Sequence, residues 1–262
     1  MALTAKQIVD LSQALLRAQS AATPITNVVD QYPDITVTEA YDVQMRSYQT
    51  KIKNGDSVVG RKVGLSAKKM QEMFNVDEPV YGHLFASMLL PEGESISKSR
   101  LCKGFLEGEL AFVLKNNLKG PVTLAEVLGS IAGVIPAFEI ADTRCIGKAK
   151  KAQDVIADGC GGAMVVLGGQ FTSINGIDLR QIGLILEKDG EVISSAATVA
   201  VLGNPVQPIV NLVNKLAQYD IGLSAGEFII SGTPHPAVQP EAGSCYRVTF
   251  DRFGYVSVRF TE

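Results

Sequence analysis

"GFLEGELAFVL" (residues 104–114) alternates like a β-strand, yet it carries two acids inside a run otherwise built for a protein interior. At period two, Leu106, Gly108, Leu110, Phe112 and Leu114 share one face, and Glu107, Glu109, Ala111 and Val113 share the other. A rise of about 3.3 Å per residue starts the two carboxylates about 7 Å apart. Buried without partners, each would cost on the order of several kcal/mol. The strand therefore needs a compensating charge, a bound ion or open solvent on its acidic face.

A second run of the same texture, "AGVIPAFEIADTR" (132–144), sets Glu139 among apolar residues. Three glutamates on apolar strands suit a hard divalent cation, Mg²⁺ or Mn²⁺, which takes oxygen ligands in an octahedron and keeps positions for water or substrate. The same acids could instead pair with Lys62, Arg61 or Arg144, or face solvent. Sequence pattern leaves both possibilities open.

The composition narrows the chemistry around them. With 262 residues, 46% of them hydrophobic, the chain can bury one large core or two small ones. A net charge of −3 disfavours nucleic acid and anionic membranes as partners. The one dense basic run, "GKAKKAQ" (147–153), reads as a solvated loop. No apolar stretch reaches the roughly 18 residues of a membrane span, and the N-terminus reads as an amphipathic helix without a signal peptide's apolar centre. Cys102, Cys145, Cys160 and Cys245 form no CxxC pair, which fits reduced thiols in a cytoplasmic protein. Only two histidines, His83 and His235, are present, too few for a histidine-built metal site. Neither GxxxxGK[ST] nor GxGxxG occurs.

Local signals divide the chain unevenly. Thr36 and Glu39 have capping-box spacing before a helix that Gly55 would end, and Thr123 and Glu126 repeat that spacing. Ser66 is expected to cap a short helix over "AKKMQEMF", and Asn204 to cap one that starts at Pro205. Hairpins are expected through Asp189-Gly190 and over "YRVTFDRFGYVSVRF". The fold class is α+β: a helical N-terminal region, 1–78, packed on a β-rich catalytic body, 79–262, as a single functional unit.

Ordered motifs then add a resemblance. "YPDITVTEAYDVQ" (32–44), "VVGRKVGLS" (58–66), "EPVYGHLF" (78–85), "FLEGELAFVLKNNLKGP" (105–121), "VIPAFEIADTR" (134–144), "VIADG" (155–159), "VAVLGNP" (199–205) and "FGYVSVRF" (253–260) span nearly the whole chain. In order and spacing they resemble the 4-oxalocrotonate decarboxylase and 2-hydroxypentadienoate (2-keto-4-pentenoate) hydratase family of the fumarylacetoacetate hydrolase superfamily. The resemblance implies a mixed β-roll core and a homo-oligomer, with a partner hydratase for a decarboxylase. It implies Mg²⁺ or Mn²⁺ on Glu107, Glu109 and Glu139, and a catalytic lysine at Lys62. The implied substrates are 2-oxo-enoates and 2-hydroxydienoates from catechol meta-cleavage, whose carboxylate and 2-oxo oxygen chelate the ion.

Other roles follow from the same resemblance. Lys62 is either an anion partner or, if burial lowers its pKa, a proton donor. Arg61, Leu65, Val80, His83, Arg144, Asp158 and Cys160 are candidates for lining the substrate pocket, and the His235 loop is a candidate to approach it. Hydratases of the family commonly carry an acid where this chain has Val80, which favours decarboxylation of 2-oxo-3-hexenedioate over hydration of 2-hydroxypenta-2,4-dienoate. The family's "ADNAS" is "ADGCG" here (157–161), which keeps a non-catalytic oxo-acid-binding paralogue in view.

Overall fold

Capping chemistry starts the N-terminal helices. In the computed structural model, which describes residues 2–262, α1 (Ala5–Ala21) begins at Thr4, whose side chain trades hydrogen bonds with Gln7. A single turn, α2 (Val28–Gln31), leads to α3 (Val37–Lys53), and there Thr36 and Glu39 form the expected reciprocal box. Such a cap contributes about 1 kcal/mol. Leu11, Leu15, Val28, Val29, Ala40 and Val43 then pack into one cluster with Val80, Ile156 and Cys160. The helices therefore rest on the end of the sheet that carries the candidate residues.

The strands follow in chain order. β1 (Val58–Gly64), helix α4 (Lys68–Phe74), β2 (Val80–Phe85), β3 (Leu89–Leu90) and β4 (Ser95–Ser97) precede the two long strands. These are β5 (Gly104–Leu114) and β6 (Ile131–Asp142), joined through α5 (Leu124–Ser130), which Thr123 and Glu126 cap as expected. Helix α6 (Ala152–Ala157), β7 (Gly162–Leu167), β8 (Gly183–Lys188), β9 (Glu191–Ala197), α7 (Gln207–Ala217), β10 (Phe228–Ile230), β11 (Cys245–Phe250) and β12 (Gly254–Thr261) complete the fold.

Two mixed sheets result, of order β2-β1-β10-β5-β6-β7-β3 and β4-β12-β11-β8-β9. Leu106, Leu110 and Phe112 of β5 bury one face against Val248, Phe250 and Val258 of the smaller sheet. That leaves the opposite face of β5, with Glu107 and Glu109, turned away from this core, as the alternation requires. β1 lies inside the larger sheet, hydrogen-bonded to both β2 and β10, so the first 78 residues supply a strand to the body as well as the helical layer.

Both expected hairpins form: β8–β9 turns through Asp189 and Gly190, each at positive φ (52° and 87°), and β11 pairs with β12. Two helix starts differ from expectation. Ser66 is buried and caps nothing; α4 begins after Ala67 without a side-chain cap. α7 starts at Gln207, because Asn204 spends its side-chain oxygen on the Val206 N–H in a preceding turn. None of the helices among the described residues is long and apolar enough to cross a membrane.

Candidate metal centre

Antiparallel pairing of β5 with β6 sets Glu107 directly opposite Glu139, and Glu109 follows one pleat along β5 on the same face. One carboxylate oxygen from each of the three lies within 4.8 Å of the others. Glu109 and Glu139 are buried and Glu107 is half-buried, so the cluster opens at Glu107. Lys62 comes from β1 on the same sheet, is itself buried, and its ammonium is hydrogen-bonded to Glu139 Oε1. Glu109 Oε2 accepts from the Gly232 N–H at 2.7 Å.

Three carboxylates face one ammonium, leaving an excess of two negative charges when all are ionised. The electrostatics register that imbalance. Burial, then repulsion from Glu139, lifts the Glu107 carboxyl to about 7 against the pull of Lys62. Burial, then the charges of Glu139 and Glu107, pushes Glu109 well above the usual carboxylate range. A divalent cation neutralises this excess, and a hard oxygen donor set is what Mg²⁺ requires. The residues present fit the ion.

Lys62 is held among acids. Burial alone would lower its pKa, but Glu139 and Glu107 together outweigh burial and hold it above the ordinary lysine value. In the metal-free cluster these acids keep the ammonium protonated. Its stem runs between two glycines: a Cβ on Gly82 would lie 3.0 Å from Lys62 Cγ, and one on Gly162 3.3 Å from Lys62 Cδ.

Leu65, Val80 and Cys160 do come together beside this lysine. Val80 and Cys160 are buried in one apolar cluster, and Leu65 packs against it. A Cβ on Gly82 would also meet Cys160 Cβ at 3.3 Å, so Cys160 and Lys62 flank the same backbone position. Residues 159–161 turn through three successive positive φ angles (62°, 56° and 68°), which the two glycines of "ADGCG" adopt without a Cβ penalty. Burial pushes the Cys160 thiol up to about 12, so it stays protonated and packs as a small apolar group.

The other four candidates have partners of their own, and His83, Arg144 and Asp158 line one cavity with Gly159 and Gly162. Arg144 and Asp158 satisfy one another: Arg144 Nε donates to Asp158 Oδ1 at 2.6 Å and Nη1 to the Gly162 carbonyl at 2.9 Å, which closes the loop between β6 and β7. Arg61 directly precedes Lys62 on β1 and so points to the other face, 3.6 Å from Glu227. His83 stacks on Tyr48 with ring centroids 4.6 Å apart and lines a cavity with it, and burial followed by Arg61 holds it down at about 3.

His235 sits in a loop that does approach the cluster. Its Nε2 accepts from the Gly108 N–H at 2.9 Å and its Nδ1 lies 2.7 Å from the Pro236 carbonyl. The sequence pattern did not reveal this contact or the one from Gly232, because the partners stand 127 and 123 residues away from β5. The only local sign was glycine itself, at positions 108 and 232.

Comparison with known proteins gives a consistent picture. Residues 44–261 match the family model described as fumarylacetoacetate (FAA) hydrolase C-terminal. The chain is 34% identical to a 2-hydroxyhexa-2,4-dienoate hydratase from Comamonas testosteroni, over 98% of this chain and 99% of that protein. It is equally 34% identical to a 4-oxalocrotonate decarboxylase from Pseudomonas sp. strain CF600, over 98% of each. The structure of 4-oxalocrotonate decarboxylase from Pseudomonas putida G7, complexed with magnesium and adipate, superposes with a TM-score of 0.96 at 33% identity, covering 99% of both chains. The same enzyme is also known complexed with calcium and acetate, with a TM-score of 0.94.

Proposed function

Because this chain belongs to the fumarylacetoacetate hydrolase family, we propose that it is a Mg²⁺- or Mn²⁺-dependent lyase that decarboxylates 2-oxo-3-hexenedioate to 2-hydroxypenta-2,4-dienoate. The observation that carries the proposal is the charge-imbalanced cluster of Glu107, Glu109 and Glu139 beside the buried cation Lys62. Its supporting likeness is to a decarboxylase complexed with magnesium and adipate, a dicarboxylate of the same six-carbon length as the proposed substrate.

Each residue has a definite task. Glu107, Glu109 and Glu139 hold the ion, which supplies an electrophile for the 2-oxo oxygen and the adjacent carboxylate when it is bound. Lys62, kept cationic by its acidic neighbours, attracts the anionic substrate and favours the negative charge that develops on it. The C–C bond to the distal carboxylate breaks, carbon dioxide leaves, and its electron pair moves through the double bond to the 2-oxo oxygen, which a proton then neutralises. The apolar cluster of Val80, Leu65 and Cys160 serves as the wall beside the lysine and presents no acid. An apolar wall favours conversion of a carboxylate to neutral carbon dioxide, and it gives a nucleophilic water no anchor.

A second activity, hydration of 2-hydroxypenta-2,4-dienoate to 4-hydroxy-2-oxopentanoate, is favoured by the equal identity to a hydratase. Purified protein with Mg²⁺ and 2-oxo-3-hexenedioate is expected to release carbon dioxide. Failure there, with consumption of 2-hydroxypenta-2,4-dienoate, would assign the hydratase activity. Metal binding with neither turnover would leave a non-catalytic oxo-acid-binding protein. A homo-oligomeric assembly, a complex with a partner hydratase and a cytoplasmic setting accompany the decarboxylase proposal; size-exclusion chromatography with and without such a hydratase tests the first two.

A further inference from the structure

The strand that carries two of the three glutamates lacks a continuous neighbour on one side. β10 pairs with β5 only at Ala111–Val113. Beyond that, the chain leaving β10 runs along the same edge as a strap. It touches Glu109 through the Gly232 N–H (2.7 Å) and Gly108 through His235 (2.9 Å). It then meets Leu106 through Val238, by two backbone hydrogen bonds of 2.7 and 3.0 Å. In this ladder the N–H groups of Leu106 and Gly108 both point toward the strap. Leu106 finds a backbone carbonyl; Gly108 finds an imidazole nitrogen instead.

The ring has one orientation open to it. The Pro236 carbonyl only accepts, so Nδ1 carries the proton, and Nε2 presents its lone pair to Gly108. His235 is 4% exposed, so no water stands ready to replace it. A Cβ on Gly108 would lie 3.0 Å from Nε2 and 2.8 Å from Val248 Cγ2. This explains the glycine between the two glutamates: the ring and the smaller sheet close on that position from the face opposite the carboxylates.

We propose that His235 is a positioning residue of the metal centre, which sets the spacing of Glu107 and Glu109 by holding the backbone N–H between them. The proposal rests on the metal-binding role of those glutamates. Without the acceptor, a buried N–H loses its partner and the strand must shift to find another. Both ligands flank that atom, so both shift with it. Mg²⁺ and Mn²⁺ demand near-octahedral geometry, whereas Ca²⁺ accepts six to eight ligands at variable angles. A loosened strand therefore penalises the small ions selectively, which a general loss of stability would not do.

The test compares His235→Gln, whose amide oxygen reaches the place of Nε2, with His235→Asn, whose shorter side chain does not. Mn²⁺ and Ca²⁺ affinities are measured on the full chain, by electron paramagnetic resonance and by competition. His235→Asn is expected to weaken Mn²⁺ about tenfold, the lower end of what lost supporting contacts cost metal sites, and Ca²⁺ less than about threefold. His235→Gln is expected to bind Mn²⁺ like the unaltered protein. Equal affinities of the two variants, or equal losses for both ions, would overturn the inference. Hydrogen exchange on the unaltered protein tests it without a variant: the Gly108 amide should be as protected as that of Leu110, and rapid exchange would refute the bond. If the unaltered protein bound neither ion, the metal centre itself would fall; binding of both with His235→Asn unaffected would remove only the role of His235.

Discussion

Two buried ion pairs stand on neighbouring parts of this molecule, and they differ in what surrounds them. Arg144 and Asp158 pair one charge with one, and two further guanidinium hydrogens go to the backbone carbonyls of Gly162 and Asp158. Lys62 and Glu139 are no more exposed, but Glu107 and Glu109 crowd the same space and leave the group net negative. The first pair is complete and closes a loop. The second is complete only with a further cation. Burial of charge alone marks neither as functional; the unbalanced remainder does.

Removing one partner of the complete pair should have the largest effect. Arg144→Met strands Asp158 in the interior and is expected to destabilise the protein by about 3–5 kcal/mol. Urea denaturation measures this, and Arg144→Met/Asp158→Asn should recover part of the loss. Whatever folds should keep its Mg²⁺ affinity within about twofold, since neither residue contacts the cluster; a larger loss would erase the distinction drawn between the two pairs.

The incomplete site should behave in the opposite way. Glu109→Gln removes a ligand and is expected to reduce turnover by on the order of 10²–10³-fold. In EDTA, at a pH high enough to ionise Glu109, the variant should unfold at a higher urea concentration than the unaltered protein, because one of the mutually repelling charges has gone. A metal-free variant of lower stability would show that the cluster is not strained by its own charge.

A smaller effect concerns pH. The raised Glu107 carboxyl contributes stability to the metal-free protein that is fully present below its unfolded value, about 4.5, and is lost as pH rises through about 7. Mg²⁺ requires the ionised forms of Glu107 and Glu109, so its affinity should fall at least about tenfold per unit as pH drops below 7. The rise in melting temperature that Mg²⁺ confers should accordingly grow between pH 5 and 7.5. A pH-independent rise would show that no carboxyl of the cluster titrates against the ion.

Much of this site was legible before any coordinates. Alternation in "GFLEGELAFVL" separated the faces of β5, and the apolar run around Glu139 marked the second strand; their pairing places Glu107 opposite Glu139. Capping boxes at Thr36 and Thr123 located two helices, since the donors and acceptors involved lie three residues apart. Local spacing failed where a side chain had a competing use. Asn204 resembled a cap but served a turn, and Ser66 was drawn into the core beside Gly232, where a Cβ would come within 2.6 Å of its own.

The sequence by itself determined which chemical groups are present and which face of each strand they occupy, because φ, ψ and the two-residue period act over neighbouring atoms. Only the tertiary structure decided which acid Lys62 would pair with, that Arg144 would spend its charge on Asp158, and that an imidazole 127 residues away would hold Gly108. Those outcomes depend on through-space distances and on the exclusion of water, and both arise only once the sheets and the helical layer have closed around the site.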